Sequence, residues 1–259
     1  MTDLLAELTE GARADARARE QALPLERIEA AAVAAAPARD ALAALAPADR
    51  VKIIAEVKRA SPSRGDLAEI PDPARLASLY EEGGASAISV LTEERRFKGS
   101  LDDLRSVKST VSIPVLRKDF VSEPYQVLEA RAAGADIVLL IVAALHQTRL
   151  RTLHDLIVGL GMTALVEAHT AEELERALEL DAKLVGINAR NLKTFELDRD
   201  LFGTLAETIP SGVIKVAESA VAAPKDVAHY RQSGADVVLI GEALVTSDPV
   251  STLTTFLAV

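Results

Sequence analysis

Eight short apolar runs, rich in β-branched residues, recur along most of the chain. Their first residues lie about 20 to 35 positions apart, the length of a strand, a helix and two short loops in a βαβ unit. Nearly continuous apolarity is typical of parallel strands that are buried on both faces. The runs are Lys52–Val57, Ala87–Leu91, Ile113–Leu116, Ile137–Val142, Thr163–Val166, Leu184–Ile187, Ile214–Ala217 and Val237–Ile240.

A weak internal repeat supports this division into β/α units. Residues 133–140 and residues 233–240 share the pattern of a small residue, Gly, Ala and Asp before four apolar residues, so that a glycine ends a helix and a strand follows. Eight such units close naturally into a (β/α)8 TIM barrel, and an open doubly wound sheet is the alternative. We expect a single barrel domain over residues 1–259, of which residues 1–50 form an Ala-rich helical extension that caps one end.

Composition excludes several classes of function. The chain has no cysteine, which excludes disulfides, thiolate metal sites and a cysteine nucleophile. Its four histidines are scattered without metal-ligand spacing, so we interpret them as solvated or helix-end residues and expect no metal. The net charge of −10 argues against binding to nucleic acid. No apolar run is long enough to cross a membrane, and the N-terminal residues fit no targeting signal, so we expect a cytoplasmic protein.

Charged and polar residues follow five of the apolar runs. They are Glu56, Lys58, Lys118, Glu167, Asn188, Arg190, Glu218 and Ser219. A two-residue period places Glu56 and Lys58 on the same strand face as Ile54, and it places Glu167 with Leu165. Active sites of parallel barrels form at the carboxyl ends of the strands, and charges in a partly desolvated pocket must balance, as these do. The pattern therefore predicts an active site at this end of the barrel.

The loops after the last two strands are candidates for a phosphate site, as is common in this fold. Gly241 permits close approach of the backbone, and Glu242 begins a helix whose N-terminus favours an anion. We expect the backbone N–H of Glu242 to face the ligand and its carboxylate to face solvent. An anionic substrate would make the balanced pocket negative, so we also expect one glutamate to be protonated. The loop Ser61–Gly65 is either a lid or an ordinary βα loop.

Seven segments match, in order, the motifs of one enzyme family. They are Ile54–Gly65, Ser89–Glu93, Phe97–Ser100, Pro114–Phe120, Leu165–Glu167, Gly186–Arg190 and Ala217–Ser219. At these residues the chain resembles the indole-3-glycerol phosphate synthases, which are (β/α)8-barrel enzymes of tryptophan biosynthesis. The resemblance runs essentially from end to end and includes the helical extension before the barrel.

The resemblance implies a carboxy-lyase that closes the pyrrole ring of 1-(2-carboxyphenylamino)-1-deoxyribulose 5-phosphate, releasing carbon dioxide and water without a cofactor. It implies that Lys118 protonates the ribulose carbonyl, that Lys58 contacts anionic groups, and that Glu167 is the base of the dehydration with Glu56 as its proton partner. Which lysine donates at which step stays open. To donate near neutral pH, a lysine needs a pKa lowered by burial and neighbours.

The resemblance also assigns the other side chains of the pocket. Residues that hold the hydroxyls and the reacting skeleton are Asn188, Glu218 and Ser219, whereas Arg190 contacts an anion and Phe97 and Phe120 flank the anthranilate ring. Further substrate contacts are Ser61, Leu239, Gly241 and Glu242. The expected partner is a small phosphosugar, bound by a monomer or weak homo-oligomer.

One position departs from the family pattern. Family members commonly carry glycine where this chain has Ala220, and if that backbone is left-handed, alanine costs about 1 kcal/mol or more and weakens the phosphate cradle. Two alternatives to the main interpretation differ in chemistry. A phosphoribosylanthranilate isomerase barrel would need its usual catalytic cysteine, which this chain lacks. A catalytically silent barrel would bind a phosphosugar without turnover.

Overall fold

The computed structural model describes residues 4–191 and 196–259. Among these residues, eight parallel strands pair in chain order and close into a barrel. They are β1 (Lys52–Val57), β2 (Ala87–Leu91), β3 (Val115–Lys118), β4 (Ile137–Ile141), β5 (Thr163–Ala168), β6 (Leu184–Asn188), β7 (Ile214–Glu218) and β8 (Val237–Ile240). Closure is complete because β1 pairs with both β8 and β2. The predicted (β/α)8 barrel is confirmed, and the open doubly wound sheet is wrong.

Helices precede the barrel and cover its outside. Within the described residues they are α1 (Leu4–Ala22), α2 (Leu25–Ala34), α3 (Ala41–Leu45), α4 (Pro73–Glu82), α5 (Leu101–Thr110), α6 (Pro124–Ala132), α7 (Gln147–Gly159), α8 (Ala171–Leu178), α9 (Leu201–Ala206), α10 (Pro224–Gln232), α11 (Glu242–Val245) and α12 (Pro249–Leu257). A 3-10 turn at Val142–Ala144 follows β4, and Ala60–Ser61 pairs with Gly65–Asp66 in a short hairpin after β1. None of the described helices is both long and apolar enough to span a membrane.

Each strand divides its side chains between two cores. In β1, Ile54 points into the barrel, where it joins Leu116 and Leu165. Its neighbours Ile53 and Ala55 pack outward against the helices. Because both faces are buried, the strands are continuously apolar, and each buried Leu or Ile contributes about 1.5–3 kcal/mol.

The strands reach further than the apolar runs that predicted them. β6 ends at Asn188 and β7 at Glu218, so these polar residues are part of the ladder. The predicted strand Ile113–Leu116 is shifted to Val115–Lys118, because Pro114 has no amide hydrogen to give to the ladder and the charges beyond Leu116 are paired. β4 is instead one residue shorter than the predicted run, because it ends at Ile141 and Val142 begins the 3-10 turn.

The N-terminal helices cover both ends of the barrel, whereas the sequence predicted one. Leu5 and Leu8 of α1 join the interior core beside Phe120, at the carboxyl ends of the strands. At the opposite end, Leu45 of α3 is fully buried against interior residues. The guanidinium of Arg39 donates to the backbone carbonyls of residues 111 and 113, just before β3 begins. The extension therefore contributes to the same core as the strands.

Leu45→Ala is expected to lower the free energy of unfolding by about 2–5 kcal/mol, because it leaves a cavity at the closed end of the barrel. Leu25→Ala is the control, at a leucine of α2 that is 41% exposed, and it should cost less than about 1 kcal/mol. Urea unfolding followed by circular dichroism measures both. Equal losses in the two variants would contradict a sealing role for α3.

Candidate active site

A cavity of about 250 Å³ opens at the carboxyl ends of the strands. All fourteen residues that the sequence singled out line it: Glu56, Lys58, Ser61, Phe97, Lys118, Phe120, Glu167, Asn188, Arg190, Glu218, Ser219, Leu239, Gly241 and Glu242. Leu4, Leu5 and Leu8 of α1 complete the wall, although no motif of the sequence indicates that the extension reaches the site. The structure therefore brings the predicted charges into one pocket.

The first pair of charges comes from β1 and the residue that follows it. Lys58 Nζ lies 2.7 Å from Glu56 Oε1, and Ser89 Oγ donates to Glu56 Oε2 at 3.4 Å. Burial alone raises the pKa of Glu56, but the charges of Lys58 and Lys118 outweigh burial and hold that pKa below its ordinary value. A Cβ on Gly241 would lie 2.5 Å from Glu56 Oε1. Gly241 thus makes room for this ion pair, a role the sequence did not indicate.

Lys118 lies between two carboxylates, that of Glu167 on β5 and that of Glu218 at the end of β7. Its Nζ is 3.9 Å from Glu167 Oε2 and 3.8 Å from Glu218 Oε2. Burial disfavours the ammonium, but Glu167, Glu218 and Glu56 outweigh it and raise the pKa of Lys118. The expectation of a lysine pKa lowered towards neutrality is therefore wrong for Lys118, because three carboxylates surround it. The ammonium form of Lys118 is therefore the one that the pocket favours.

Glu218 has the opposite electrostatic surroundings to Glu56. Burial raises the pKa of Glu218, and the nearby Glu167 carboxylate raises it further, against the opposing effect of Lys118, so that it lies well above its ordinary value. This is the glutamate that fits the expectation of a protonated carboxyl in the pocket. The position of the Glu218 carboxyl requires glycine at residue 186, because a Cβ on Gly186 would lie 2.1 Å from Glu218 Oε1.

The ends of β6 and β7 are joined by hydrogen bonds. Asn188 Oδ1 accepts from Ser219 Oγ at 2.8 Å and from the backbone N–H of Arg190 at 3.0 Å. Both Ser219 and Ala220 have left-handed backbones, with φ of 70° and 59°. The backbone at Ala220 is therefore left-handed, which was the condition of the prediction. Its methyl group lowers the free energy of unfolding by about 1 kcal/mol relative to an unstrained glycine at this position.

Phe97 and Phe120 form one apolar wall of the cavity. Their ring centroids are 6.0 Å apart at an angle of 41°, so the rings contact each other and leave no space for a third ring between them. Both rings therefore lie side by side on one wall, and their contact with the anthranilate ring stays a prediction. The loop that carries Phe97 is fixed by the buried Glu93 carboxylate, which accepts backbone N–H groups of Arg95, Arg96 and Phe97.

Glu242 lies at the rim, and its carboxylate is paired. Arg64, from the hairpin after β1, places a guanidinium nitrogen 3.0 Å from Glu242 Oε1. The Glu242 side chain is 36% exposed and that of Arg64 is 64% exposed, so the pair lies at the solvent-facing rim, in agreement with the predicted solvent-facing carboxylate. The pair joins the candidate lid Ser61–Gly65 to the loop after β8.

Lys118 is also held from the outer side of its strand. The neighbouring Arg117 is fully buried, with NH2 2.9 Å from Asp119 Oδ2 and NH1 donating to the backbone carbonyl of Gln126 at 2.6 Å. Glu129 of α6 lies 3.6 Å from the same guanidinium. A buried arginine with several acceptors is costly to move, so this network fixes the end of β3.

His169 was missed by the sequence interpretation, which took all four histidines as solvated or helix-end residues. It follows β5 and is buried between Glu167 and Glu173. His154 of α7 is buried within its helix, so the interpretation is wrong for His154, whereas His169 lies directly before the N-cap of α8, at a helix end. The feature of the sequence that could have identified His169 is its position two residues after Glu167. Among the described residues, no group of three or more His, Asp or Glu side chains is arranged to hold a metal ion.

A closed (β/α)8 barrel with paired lysines and glutamates at the carboxyl ends of its strands is the architecture of an acid–base enzyme. A family model described as indole-3-glycerol phosphate synthase matches residues 5–256. The chain belongs to the indole-3-glycerol phosphate synthase family.

Curated relatives support the same assignment. The indole-3-glycerol phosphate synthase of Leifsonia xyli subsp. xyli is 73% identical over 254 residues, covering 98% of each chain. That of Mycobacteroides abscessus is 59% identical, covering 95% of this chain and 90% of the relative. Among solved structures, an N-acetylmannosamine-6-phosphate 2-epimerase from Clostridium perfringens is similar at 16% identity, with a TM-score of 0.63 over 79% of this chain and 90% of that one. At that identity the likeness concerns the fold alone.

Ala220→Gly is expected to raise the free energy of unfolding by about 0.5–1 kcal/mol, because relief of the left-handed strain exceeds the entropy that glycine adds to the unfolded chain. Ala35→Gly is the control, since Ala35 has an ordinary φ of −64° and should lose about 0.5–1 kcal/mol. Urea unfolding compares them. A loss of stability in Ala220→Gly would show that the backbone there is not strained.

Gly186→Ala is expected to lower kcat about a hundredfold, because the new methyl group displaces the Glu218 carboxyl from its place beside Lys118. Gly159→Ala, at the end of α7, is the control, since a Cβ there meets no atom within 4 Å. Steady-state kinetics separates the two variants, and circular dichroism checks that both fold. Full activity in Gly186→Ala would remove Glu218 from the reaction.

Proposed function

We propose that this protein is an indole-3-glycerol phosphate synthase, a carboxy-lyase that converts 1-(2-carboxyphenylamino)-1-deoxyribulose 5-phosphate into indole-3-glycerol phosphate, carbon dioxide and water. The observation that carries the proposal is Lys118, 3.9 Å and 3.8 Å from two buried carboxylates in a cavity with an apolar wall and an anion-favouring rim. Membership of the family supports the same reaction.

The substrate fits the cavity by its chemistry. Its anthranilate ring packs against the wall formed by Phe97, Phe120 and Leu8. Its phosphate binds at the loops after β7 and β8, where Ser61 lines the facing side and α11 begins at Glu242. Its carboxylate lies near Lys58. With a neutral Glu218, the cations of the pocket outnumber its anions, which favours a substrate with two acidic groups.

Ring closure is the first step. The ring carbon that bears the carboxylate attacks the ribulose carbonyl carbon, and the carbonyl electron pair moves to oxygen. Lys118 gives this oxygen a proton. A raised lysine pKa suits this timing, because the oxygen becomes basic enough to take the proton only as the new carbon–carbon bond forms.

Decarboxylation and dehydration follow. The carbon–carboxylate bond breaks, carbon dioxide leaves, and its electron pair restores aromaticity in the ring. The new hydroxyl then departs as water after gaining a proton, while Glu167 removes a proton from the adjacent methylene carbon, the former C1 of the ribulose, so that the carbon–carbon double bond of the pyrrole ring forms and the ring N–H is kept. Glu56, in contact with Lys58, is the proton partner, and Asn188, Glu218 and Ser219 hold the hydroxyls. These steps need no metal and no oxidant.

Lys118→Met is expected to reduce turnover by several orders of magnitude while the fold is retained, because it removes the proton donor and keeps the length of the side chain. The chain contains no tryptophan, so the fluorescence of the indole product is measured against a dark background. Lys215→Met is the matched control, at a lysine of β7 whose neighbours in the strand, Ile214 and Val216, face the barrel interior. It should keep wild-type activity.

Two results would contradict the proposal. Full activity in Lys118→Met would exclude Lys118 as the acid. Binding of the substrate by the wild-type protein without any indole product, measured by calorimetry and fluorescence together, would favour the silent phosphosugar-binding barrel.

A further inference from the structure

His169 lies directly behind one of the two carboxylates that face Lys118. Its side chain is 8% exposed, and its Nε2 is 3.4 Å from Glu167 Oε1. On its other side, Nδ1 is 3.2 Å from Glu173 Oε2 of α8. The same Glu173 oxygen accepts the backbone N–H of His169 at 2.7 Å. Glu167 lines the cavity and His169 does not, so His169 lies behind Glu167 as seen from the cavity.

Lys118 does not decide which of the two carboxylates is ionised. It is almost equally distant from Glu167 and Glu218, at 3.9 Å and 3.8 Å, and both are nearly fully buried. Two other groups break this symmetry. Glu56 repels a negative charge on Glu218, and His169 contacts Glu167 alone. Both effects favour a charge on Glu167 and a proton on Glu218.

The charge of His169 follows from the groups that face it. Burial by itself lowers the pKa of His169, but the carboxylates of Glu173 and Glu167 outweigh burial and the opposing charge of Lys118, and they raise it. These three groups come from α8, β5 and β3. Two acidic neighbours favour the imidazolium form: Nδ1 is within hydrogen-bond distance of Glu173, and Nε2 faces Glu167 Oε1 at 3.4 Å without hydrogen-bond geometry.

We propose that His169 is a positioning residue that holds Glu167 from behind, keeps it ionised and leaves the single proton of the Glu167–Glu218 pair on Glu218. The proposal rests on the proposed function, because ring formation needs a base at Glu167 and a neutral partner opposite. It adds the reason why two carboxyls in such similar positions have different roles. The tests below separate its failure from failure of the reaction itself.

The first test does not depend on turnover. The chain has four histidines, so each Cε1–H signal can be assigned by single replacement and titrated by NMR. His169 is expected to titrate above the value of about 6.5 that is ordinary for imidazole. Glu167→Gln should lower its pKa by at least about one pH unit, because it removes a contacting charge. Glu218→Gln should change it far less, because Glu218 carries no charge. Equal decreases, or a His169 signal that titrates below 6.5 in the wild type, would overturn the proposal.

The second test uses two amides of different reach. The amide nitrogen of His169→Gln can take the place of Nε2 and keeps a neutral N–H group beside Glu167, whereas that of His169→Asn takes the place of Nδ1 and leaves no N–H group beside Glu167. We expect His169→Asn to lower kcat about tenfold or more and His169→Gln to lower it less. KM should stay within about twofold in both, because His169 does not reach the cavity.

The pH profile distinguishes positioning from a purely structural role. Loss of a neighbouring cation disfavours the charged form of a carboxylate, and both variants remove the imidazolium beside Glu167. The acid limb of the kcat profile is therefore expected to move to higher pH. His154→Gln is the matched control, at a second buried histidine whose Nδ1 is 3.3 Å from Asp155 on α7, and it should leave that limb in place. An unmoved acid limb in His169→Asn would overturn the proposal.

If the wild-type protein forms no indole product, the proposed function fails, and the NMR comparison still decides the role of His169.

Discussion

The ammonium of Lys118, enclosed by carboxylates, is the constraint on which the rest of the pocket depends. An unpaired ammonium at this depth would cost several kcal/mol, and a pair is tolerated only where geometry and further hydrogen bonds compensate. Three glutamates are more negative charge than one lysine can balance. Two features of the structure reduce the excess: Lys58 pairs with Glu56, and burial together with the Glu167 carboxylate raises the pKa of Glu218, which favours its neutral form. The pocket therefore combines ion pairs with one carboxyl whose charged form is disfavoured.

The backbone is shaped to accommodate these side chains. Gly186 and Gly241 are positions where a Cβ would collide with Glu218 or Glu56, so the two glycines set the space in which the acids sit. On the far side of β3, Arg117 uses buried acceptors to hold the strand end that presents Lys118. Space on one side and a rigid ionic network on the other keep the lysine in place. Such fixed geometry is what acid–base catalysis requires, because proton transfer needs contact distances.

Much of this arrangement follows from the sequence by simple rules. A period of two residues places Glu56, Glu167 and Glu218 on the inner face of their strands, and parallel strands bring their carboxyl ends together. Other features depend on contacts between distant segments, which periodicity does not reveal. The burial of Leu45 at the closed end and the contact of His169 with Glu173 are two such cases. The raised pKa of Lys118 is a third, because burial and three carboxylates act in opposite directions and only their distances show which prevails.

The raised pKa of Lys118 also bears on the order of the reaction. A lysine that holds its proton tightly gives little to a ketone oxygen, but it gives that proton readily to an alkoxide. Proton transfer is thereby tied to formation of the carbon–carbon bond, and protonation of the ketone in advance is disfavoured. In the proposed reaction Lys118 becomes neutral when it gives up its proton, and its attraction for the Glu167 carboxylate is then lost. His169, 3.4 Å from Glu167 and outside the cavity, is the group that we propose to keep a positive charge beside it. In that reaction Glu167 acts as a base after Lys118 has acted as an acid, which is the order that dehydration after ring closure requires.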